Sequence, residues 1–166
     1  FPAREKLTFN KTCLVMGGAG GLGKYAIPLL VKSGARVICV DPANMPQWLP
    51  PQVGYVQCAM GDGNQDKLLE LFKVGDIDIV FNMISPDLET GTDKLFLSAI
   101  VEGTREILYI CKKLKIEELV HVSSIAVTDH FKDSINQTEH HWLPSLRSYS
   151  SVYDYAKRRA ETMILR

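Results

Sequence analysis

Two side chains near the C-terminal end of the sequence have the spacing of an acid/base pair. Tyr153 and Lys157 lie four residues apart in a segment of helical composition, which places them on one face of a helix. A cation beside a phenol stabilises the phenolate, so the phenol can act as an acid or base near neutral pH. The pattern Y-x-x-x-K is common on solvated helices and does not establish a site by itself. Tyr155 has Arg159 at the same spacing and is the lesser candidate, because a guanidinium has a different geometry.

Two adjacent serines offer hydroxyl groups that complement this pair. Ser123 and Ser124 follow the apolar run 119–122, which has the composition of a strand. Open α/β sheets bind ligands at the carboxyl ends of their strands. A hydroxyl there can therefore hydrogen-bond a substrate oxygen while Tyr153 transfers the proton. Neither serine lies in a G-x-S-x-G sequence, which argues against a nucleophilic role.

A glycine-rich segment has the spacing of a dinucleotide-binding loop. Gly17, Gly20 and Gly23 form G-x-x-G-x-x-G between the first predicted strand and the first predicted helix. Glycine permits a tight turn and lets a pyrophosphate approach backbone N–H groups at the helix N-terminus without meeting a Cβ atom. We therefore expect Gly17, Gly20, Gly21, Leu22 and Gly23 to bind the cofactor. The alternative is a glycine turn with a purely structural role.

Two aspartates follow the next two predicted strands. Asp41 comes 24 residues after Gly17, where a carboxylate can bind the adenosine ribose and repel a 2′-phosphate. Pro42 follows it instead of an arginine, so NAD is favoured over NADP. Asp62 is a candidate partner for the adenine amino group. Both aspartates also suit turns, and that simpler role is the alternative.

The order of the predicted elements indicates the fold that positions these residues. Apolar runs typical of buried strands alternate with segments of helical periodicity. Strands are predicted over 12–16, 36–40, 54–58, 77–81 and 119–122, and helices over 22–31, 65–72, 93–114 and 149–165. This alternation predicts βαβ units in one α/β domain, a Rossmann-like doubly wound parallel sheet with helices on both faces. Gly34 is expected to end the first helix, and Pro28 to kink or tighten it.

The composition is typical of globular proteins and argues against several other classes. The 166 residues include 19 Lys plus Arg and 19 Asp plus Glu, so bulk positive charge for nucleic-acid binding is lacking. No apolar run approaches the ~20 residues of a membrane span. The four cysteines form no C-x-x-C pair and favour buried thiols in a reducing, intracellular compartment. His140 and His141 are adjacent and lack further ligands at suitable spacing, so no metal site is predicted.

Taken together, these segments resemble the extended short-chain dehydrogenase/reductase family, and within it the 3β-hydroxysteroid dehydrogenase branch. The matching segments are G-G-A-G-G-L-G at 17–23, V-E-G-T-R-E-I-L at 101–108, H-V-S-S-I-A-V at 121–127 and Y-D-Y-A-K-R-R-A-E at 153–161. They occur in the family's order, and the resemblance covers nearly the whole chain. The glycine loop alone is moderately specific, whereas the ordered set is strong.

The resemblance implies reversible hydride transfer between a secondary alcohol, sterol-like or otherwise hydrophobic, and the nicotinamide of NAD. Tyr153 would be the catalytic acid/base, and Lys157 would assist it and bind the nicotinamide ribose. Ser124 would orient the oxygen of this small-molecule substrate. Nucleotide-sugar epimerases and dehydratases share all of these motifs, so that reaction class stays open.

The resemblance also implies a partner surface. Family members commonly pair the helices that correspond to 93–114 and 149–165 in a homodimer. Tyr149, Val152 and Ala156 are candidate apolar contacts there. The alternative is that this face packs on the sheet of its own chain.

Several positions depart from the family pattern. Met16 replaces the usual Thr or Ser, Asn82-Met83-Ile84 is bulkier than the usual small residues, and Ile100 stands where many members have Asn. Extended members also continue beyond the tyrosine helix into a sixth strand and a substrate lobe. We therefore expect residues 1–166 to be the N-terminal, NAD-binding part of such an enzyme. The departures leave a second hypothesis, a non-catalytic dehydrogenase-like subunit of a larger assembly.

Overall fold

A five-stranded parallel sheet forms the centre of the fold. The computed structural model describes residues 9–128, 138 and 143–166. In chain order the strands are β1 (Thr12–Met16), β2 (Arg36–Asp41), β3 (Gly54–Gln57), β4 (Ile79–Asn82) and β5 (Glu118–His121). They lie side by side in the order β3-β2-β1-β4-β5, and every pairing is parallel. After β3 the chain crosses to the far side of β1, so the carboxyl ends of β1 and β4 flank the point where ligands bind in such sheets.

The helices cover both faces of this sheet. They are α1 (Gly23–Lys32), α2 (Gln65–Leu71), α3 (Asp93–Phe96), α4 (Gly103–Leu114) and α5 (Val152–Ile164). A π-helical segment, Leu97–Glu102, joins α3 to α4, and short 3₁₀ turns lie at Ile125–Val127 and Leu146–Ser148. The predicted doubly wound fold is confirmed.

The central strand shows why its sequence is almost continuously apolar. Side chains alternate across a strand, so Leu14 and Met16 face one helical layer, where they join Leu68 of α2 in the core. Val15 faces the other layer and packs with Ile27 of α1. All four residues from Cys13 to Met16 are fully buried. A parallel strand covered on both faces needs this pattern instead of polar and apolar alternation.

Two helical segments differ from the sequence prediction. The stretch 93–114 is not one uniform α-helix, because Leu97–Glu102 winds as a π-helix between α3 and α4. The last helix begins at Val152 instead of 149, because the Ser151 side chain accepts a hydrogen bond from the Asp154 backbone N–H over 3.4 Å and caps it there. Gly34 has φ +97° just beyond α1, as expected of a residue that ends a helix.

The face of α5 that was a candidate for dimer contacts is largely used within the chain. Ala156 and Ala160 are fully buried and pack with Phe96, Ile100 and Val101. The prediction that Ala156 contacts a partner is therefore wrong, and this face packs on the neighbouring helical segments instead of the sheet. A homodimer through other residues of these helices stays a prediction.

The structure also bears on the cysteines and on the length of the apolar helices. All four cysteine thiols are free and buried, and burial raises the pKa of the Cys39 thiol to about 12. Within the described ranges, no helix has the length and apolar content to cross a membrane.

Candidate active site

A cavity of about 780 Å³ opens at the carboxyl ends of the strands. This volume lies within the range of small-molecule and cofactor sites. Most of the predicted site residues line it: Gly17, Gly20, Gly21, Leu22, Asp41, Asp62, Tyr153 and Lys157. Gly23 and Ser124 do not line it. The fold therefore brings distant parts of the sequence to one cavity.

The first glycine of the loop and the last allow close backbone packing. Gly17 has φ +74°, and a Cβ atom on it would lie 2.9 Å from the Ile84 backbone. A Cβ atom on Gly23 would lie 2.0 Å from the Gly18 carbonyl oxygen. Gly23 is thus required for the approach of α1 to the loop, and its role is packing instead of cavity contact.

The middle of the glycine loop provides an open cradle. A Cβ atom on Gly21 would meet nothing within 4 Å, although Gly21 lines the cavity. No side chain caps the N-terminus of α1, and its first turn contains no acidic residue. Uncapped N–H groups at a helix N-terminus bind anions. The loop therefore fits a pyrophosphate.

Asp41 holds the glycine loop to the loop that follows β2. Its Oδ2 accepts a hydrogen bond from the Ala19 N–H over 3.0 Å, and its Oδ1 accepts one from the Ala43 N–H over 2.9 Å. A carboxylate has about four acceptor positions, so two remain for hydroxyl groups of a ligand. Asp41 as a residue is nine-tenths buried, and its two hydrogen bonds hold the carboxylate at the cavity wall.

Asp62 lies in a loop that hydrogen-bonds to the π-helical segment and to α4. The two residues that make these bonds, Ser98 and Glu106, were not predicted as site residues. The Ser98 hydroxyl lies 3.2 Å from Asp62 Oδ1 and 3.1 Å from the Gly61 carbonyl oxygen. The Glu106 carboxylate accepts hydrogen bonds from the N–H groups of Gly61 and Gly63, each over 2.7 Å. These contacts join residues 36 to 45 positions apart, so no local sequence pattern predicts them.

Lys157 reaches the cavity through the core. It is 1% exposed, and its Nζ donates to the carbonyl oxygens of Ile84 over 3.1 Å and Val122 over 3.3 Å. These carbonyls follow β4 and β5, so the ammonium sits at their carboxyl ends. Burial lowers the pKa of Lys157 to about 8. Among the described residues, the third ammonium proton has no acceptor, which leaves it for a ligand.

Tyr153 lies beside this ammonium at the cavity wall. The Lys157 Nζ is 5.9 Å from the centroid of its ring. The ring makes an edge contact with Phe96 at a centroid distance of 5.4 Å, and the Tyr153 hydroxyl is 3.4 Å from the Ser85 Oγ. Ser85 also lines the cavity and was not predicted. The predicted pair of Tyr153 and Lys157 therefore lines one cavity.

The two serines make different hydrogen bonds. Ser123 lines the cavity, and its hydroxyl donates to Glu161 Oε2 over 2.5 Å. The Ser124 Oγ accepts a hydrogen bond from the Ala126 N–H over 3.2 Å and caps the 3₁₀ turn Ile125–Val127. The role of Ser124 in substrate orientation stays a prediction.

A buried histidine lies close enough to Lys157 and Glu161 for their charges to influence it. Neither ring nitrogen of His121 has a hydrogen-bond partner among the described residues, although both are buried. Burial lowers the pKa of His121 to about 4, and the positive charge of Lys157 acts in the same direction, while Glu161 opposes it. His121 is therefore neutral at physiological pH and adds no charge beside Lys157.

The three departures from the family pattern lie in different environments. Met16 is fully buried in the sheet, and Ile100 is 1% exposed and packs near Ala156. Of the triplet Asn82-Met83-Ile84, Met83 and Ile84 line the cavity. In the described part of the chain, no group of three or more His, Cys, Asp or Glu could hold a metal ion. His140 and His141 lie outside the described residues.

Comparison with known proteins agrees with the fold and these motifs. The human sterol-4-alpha-carboxylate 3-dehydrogenase, decarboxylating, is 31% identical over 140 residues, which are 81% of this chain and 35% of that protein. A crystal structure of UDP-galactose 4-epimerase matches with a TM-score of 0.76 and 24% identity, covering 92% of this chain and 50% of that one. The dTDP-glucose 4,6-dehydratase from Bacillus anthracis, crystallised in complex with NAD, matches with a TM-score of 0.76 and 21% identity, covering 93% and 49%.

The extent of these matches is uneven. The chain spans 29–45% of the length of the curated relatives it matches and about half of the solved structures. The family model of the 3-beta hydroxysteroid dehydrogenase/isomerase family matches residues 14–166, which include the glycine loop, α5 and all of the sheet except the first two residues of β1. The chain therefore belongs to the 3-beta hydroxysteroid dehydrogenase/isomerase family.

Proposed function

We propose that this chain is the NAD-binding and acid/base part of an oxidoreductase that oxidises the 3β-hydroxyl group of a steroid or a related hydrophobic secondary alcohol. The observation that carries the proposal is the shared position of Tyr153 and Lys157. Both line the cavity that begins at the glycine loop. Family membership and the resemblance to the human sterol-4-alpha-carboxylate 3-dehydrogenase support the substrate class.

The residues around the cavity fit NAD. The open cradle at Gly21 and the uncapped start of α1 suit the pyrophosphate. Asp41 suits the adenosine ribose, and Asp62 the adenine amino group. The third ammonium proton of Lys157 suits the nicotinamide ribose. A solved structural relative in complex with NAD supports the choice of cofactor.

The chain's own residues then supply the proton chemistry. NAD, when bound, accepts a hydride at the nicotinamide ring. Tyr153 takes the proton of the substrate hydroxyl, and the adjacent Lys157 ammonium stabilises the phenolate oxygen that receives it. The Ser85 hydroxyl lies within reach of the Tyr153 oxygen and can pass a proton onward. Ser124 orients the substrate oxygen in this proposal.

Two alternative functions are less well supported, namely an epimerase or dehydratase and a non-catalytic subunit. The similarity to epimerases and dehydratases lies below 25% identity, so it does not assign their reactions to this chain. A non-catalytic scaffold that binds no dinucleotide would have no use for the charge of Lys157, because burying an ammonium that has no carboxylate partner among the described residues lowers stability. Proteins accept that loss where a site needs the charge.

The test is NADH formation by the full-length protein with a panel of alcohols. We expect turnover of 3β-hydroxysteroids, and turnover at least 100-fold slower for their 3α epimers, which present the hydrogen to be transferred on the opposite face. UDP-galactose serves as the control substrate, with formation of its 4-epimer measured separately, because epimerisation releases no net NADH. Epimerisation of UDP-galactose without steroid oxidation would establish the epimerase reading instead. NAD binding without turnover of any alcohol would establish a non-catalytic subunit.

A further inference from the structure

We propose that Glu106 is a positioning residue for adenine recognition, which it achieves by fixing the loop that carries Asp62. The inference rests on the proposed binding of NAD in the cavity. Its basis is the pair of 2.7 Å hydrogen bonds that the Glu106 carboxylate accepts from the N–H groups of Gly61 and Gly63, on either side of Asp62.

The geometry of these bonds fixes the backbone at Asp62. Hydrogen bonds to an ionised carboxylate are about twice as strong as neutral ones, and two bonds to one carboxylate also fix an orientation. Gly61 has φ +88° and Gly63 has φ +78°. The chain therefore passes through Asp62 between two left-handed residues, each held by the same side chain.

The π-helical segment supplies a second set of contacts to this loop. The Ser98 hydroxyl contacts both the Gly61 carbonyl oxygen and Asp62 Oδ1. A Cβ atom on Gly61 would lie 2.0 Å from the Ser98 carbonyl oxygen, so only glycine fits there. A Cβ atom on Gly103 would lie 3.2 Å from the Met60 Cβ, so the helix approaches the loop closely at this point too.

The wide turn explains how Ser98 and Glu106 reach the same loop. In a regular α-helix, two residues eight positions apart differ in direction by roughly 80° around the axis. The Gly103 N–H donates to the Ser98 carbonyl, an i to i+5 bond that lowers the rotation per residue. Both side chains consequently contact residues 61–63. Interruptions of this kind are frequent at functional sites.

The chemistry of the fixed carboxylate favours one base. Adenine presents an amino group, which donates to a carboxylate, whereas hypoxanthine presents an oxygen at the same position, which repels it. A carboxylate held in place enforces this difference. One that moves freely can turn to solvent and lose it.

The experiment compares dissociation constants of NAD and nicotinamide hypoxanthine dinucleotide, measured by calorimetry on the full-length protein. We expect the wild type to prefer NAD roughly tenfold or more. In Glu106→Gln the side-chain NH₂ group faces one of the two backbone N–H groups, so one of the two hydrogen bonds is lost. We expect the preference for NAD to fall below about threefold. At saturating NAD, kcat should stay within about twofold, because proton transfer by Tyr153 uses none of the contacts that Glu106 makes.

Two further variants make the result decisive. Glu102→Gln is the matched control, since Glu102 lies on the same helical stretch but pairs with the exposed Arg105, and it should keep the wild-type preference. Ser98→Ala removes the hydroxyl that contacts Gly61 and Asp62 and should also lower the preference for NAD. It replaces Glu106→Gln in the test if that variant does not fold. An unchanged preference in Glu106→Gln, or in Ser98→Ala where only that variant folds, would overturn the inference. A wild type that binds both dinucleotides equally would also overturn it. A wild type that binds neither would instead refute the proposed function on which it rests.

Discussion

The hydroxyl of Ser123 donates a hydrogen bond to the carboxylate of Glu161 over 2.5 Å. Its single proton is therefore committed, and this serine can only accept further hydrogen bonds. Ser124 is in the opposite state, since its oxygen accepts from the Ala126 N–H and its proton is not donated to any described residue. Of the two adjacent serines, Ser124 thus has a hydroxyl proton with no acceptor among the described residues, although it does not line the cavity. That this proton is donated to a substrate oxygen stays a prediction.

This difference predicts unequal effects of removing the two hydroxyls. We expect Ser124→Ala to lower kcat about 10- to 100-fold, because a donor to the reacting oxygen is lost. Ser123→Ala should lower kcat less than about fivefold and reduce stability slightly, because Glu161 loses a partner. Steady-state kinetics of both variants checks the prediction. The reverse order of effects would assign the substrate contact to Ser123.

Because the ammonium of Lys157 is buried, we expect its removal to raise the stability of the fold and to abolish activity. Its pKa is about 8 in the folded chain and 10.5 as the ordinary value, so below pH 8 the folded state carries a charge that burial disfavours. Lys157→Met should raise the free energy of unfolding at pH 7 by about 1–2 kcal/mol and abolish turnover. Lys112→Met, at an exposed position of α4, should change stability by less than ~0.5 kcal/mol.

The same pKa shift sets the pH dependence of that difference. Between pH 8 and 10.5 the unfolded chain binds more protons than the folded one at this lysine, so wild-type stability from this group rises with pH. The advantage of Lys157→Met should therefore shrink across this window. Urea unfolding at pH 7, 8, 9 and 10 measures it. A constant difference at all four values would show that burial does not shift this group.

The glycine loop predicts a contrast between two alanine substitutions. Gly23→Ala places a Cβ atom 2.0 Å from the Gly18 carbonyl oxygen and should destabilise the fold by about 3 kcal/mol or more. Gly21→Ala meets nothing within 4 Å, so stability should change by less than ~0.5 kcal/mol. NAD affinity should nevertheless fall at least tenfold, because the methyl group enters the space for the pyrophosphate. Normal NAD binding by Gly21→Ala would place the cofactor elsewhere.

Asp41 predicts the choice between NAD and NADP. Its carboxylate is held at the cavity wall by the N–H groups of Ala19 and Ala43, where its charge repels a 2′-phosphate. Asp41→Asn keeps the shape and removes the charge. We expect the ratio of NADP to NAD affinity to rise about tenfold or more, measured by titration with both dinucleotides. If the ratio does not move, the carboxylate does not contact the adenosine ribose.

Much of this architecture follows from local patterns in the sequence. The strand and helix order is visible because Cys13–Met16 and its neighbours are continuously apolar while the helices are amphipathic. The glycine spacing and the four-residue spacing of Tyr153 and Lys157 likewise reflect short-range geometry. These features were predicted and lie in one cavity.

The rest of the site depends on contacts that no local pattern encodes. A glutamate such as Glu106 is typical of a solvent-exposed helix position. Its carboxylate nevertheless binds the loop at residues 61–63, more than 40 positions away in the sequence. Ser98 contacts that loop only because the helix widens around it. The close approach of Gly61 to the same helix is likewise a tertiary contact. Such residues are found from the fold, since their partners are set by topology.

The central claim is that Tyr153 transfers the proton while the rest of the cavity binds NAD. Tyr153→Phe removes only the hydroxyl and retains the ring contact with Phe96. The most direct measurement is kcat for 3β-hydroxysteroid oxidation together with the NAD dissociation constant of this variant. We expect a fall in kcat of about 10²- to 10⁴-fold, with NAD affinity within about threefold of the wild type. Turnover at the wild-type rate would contradict it.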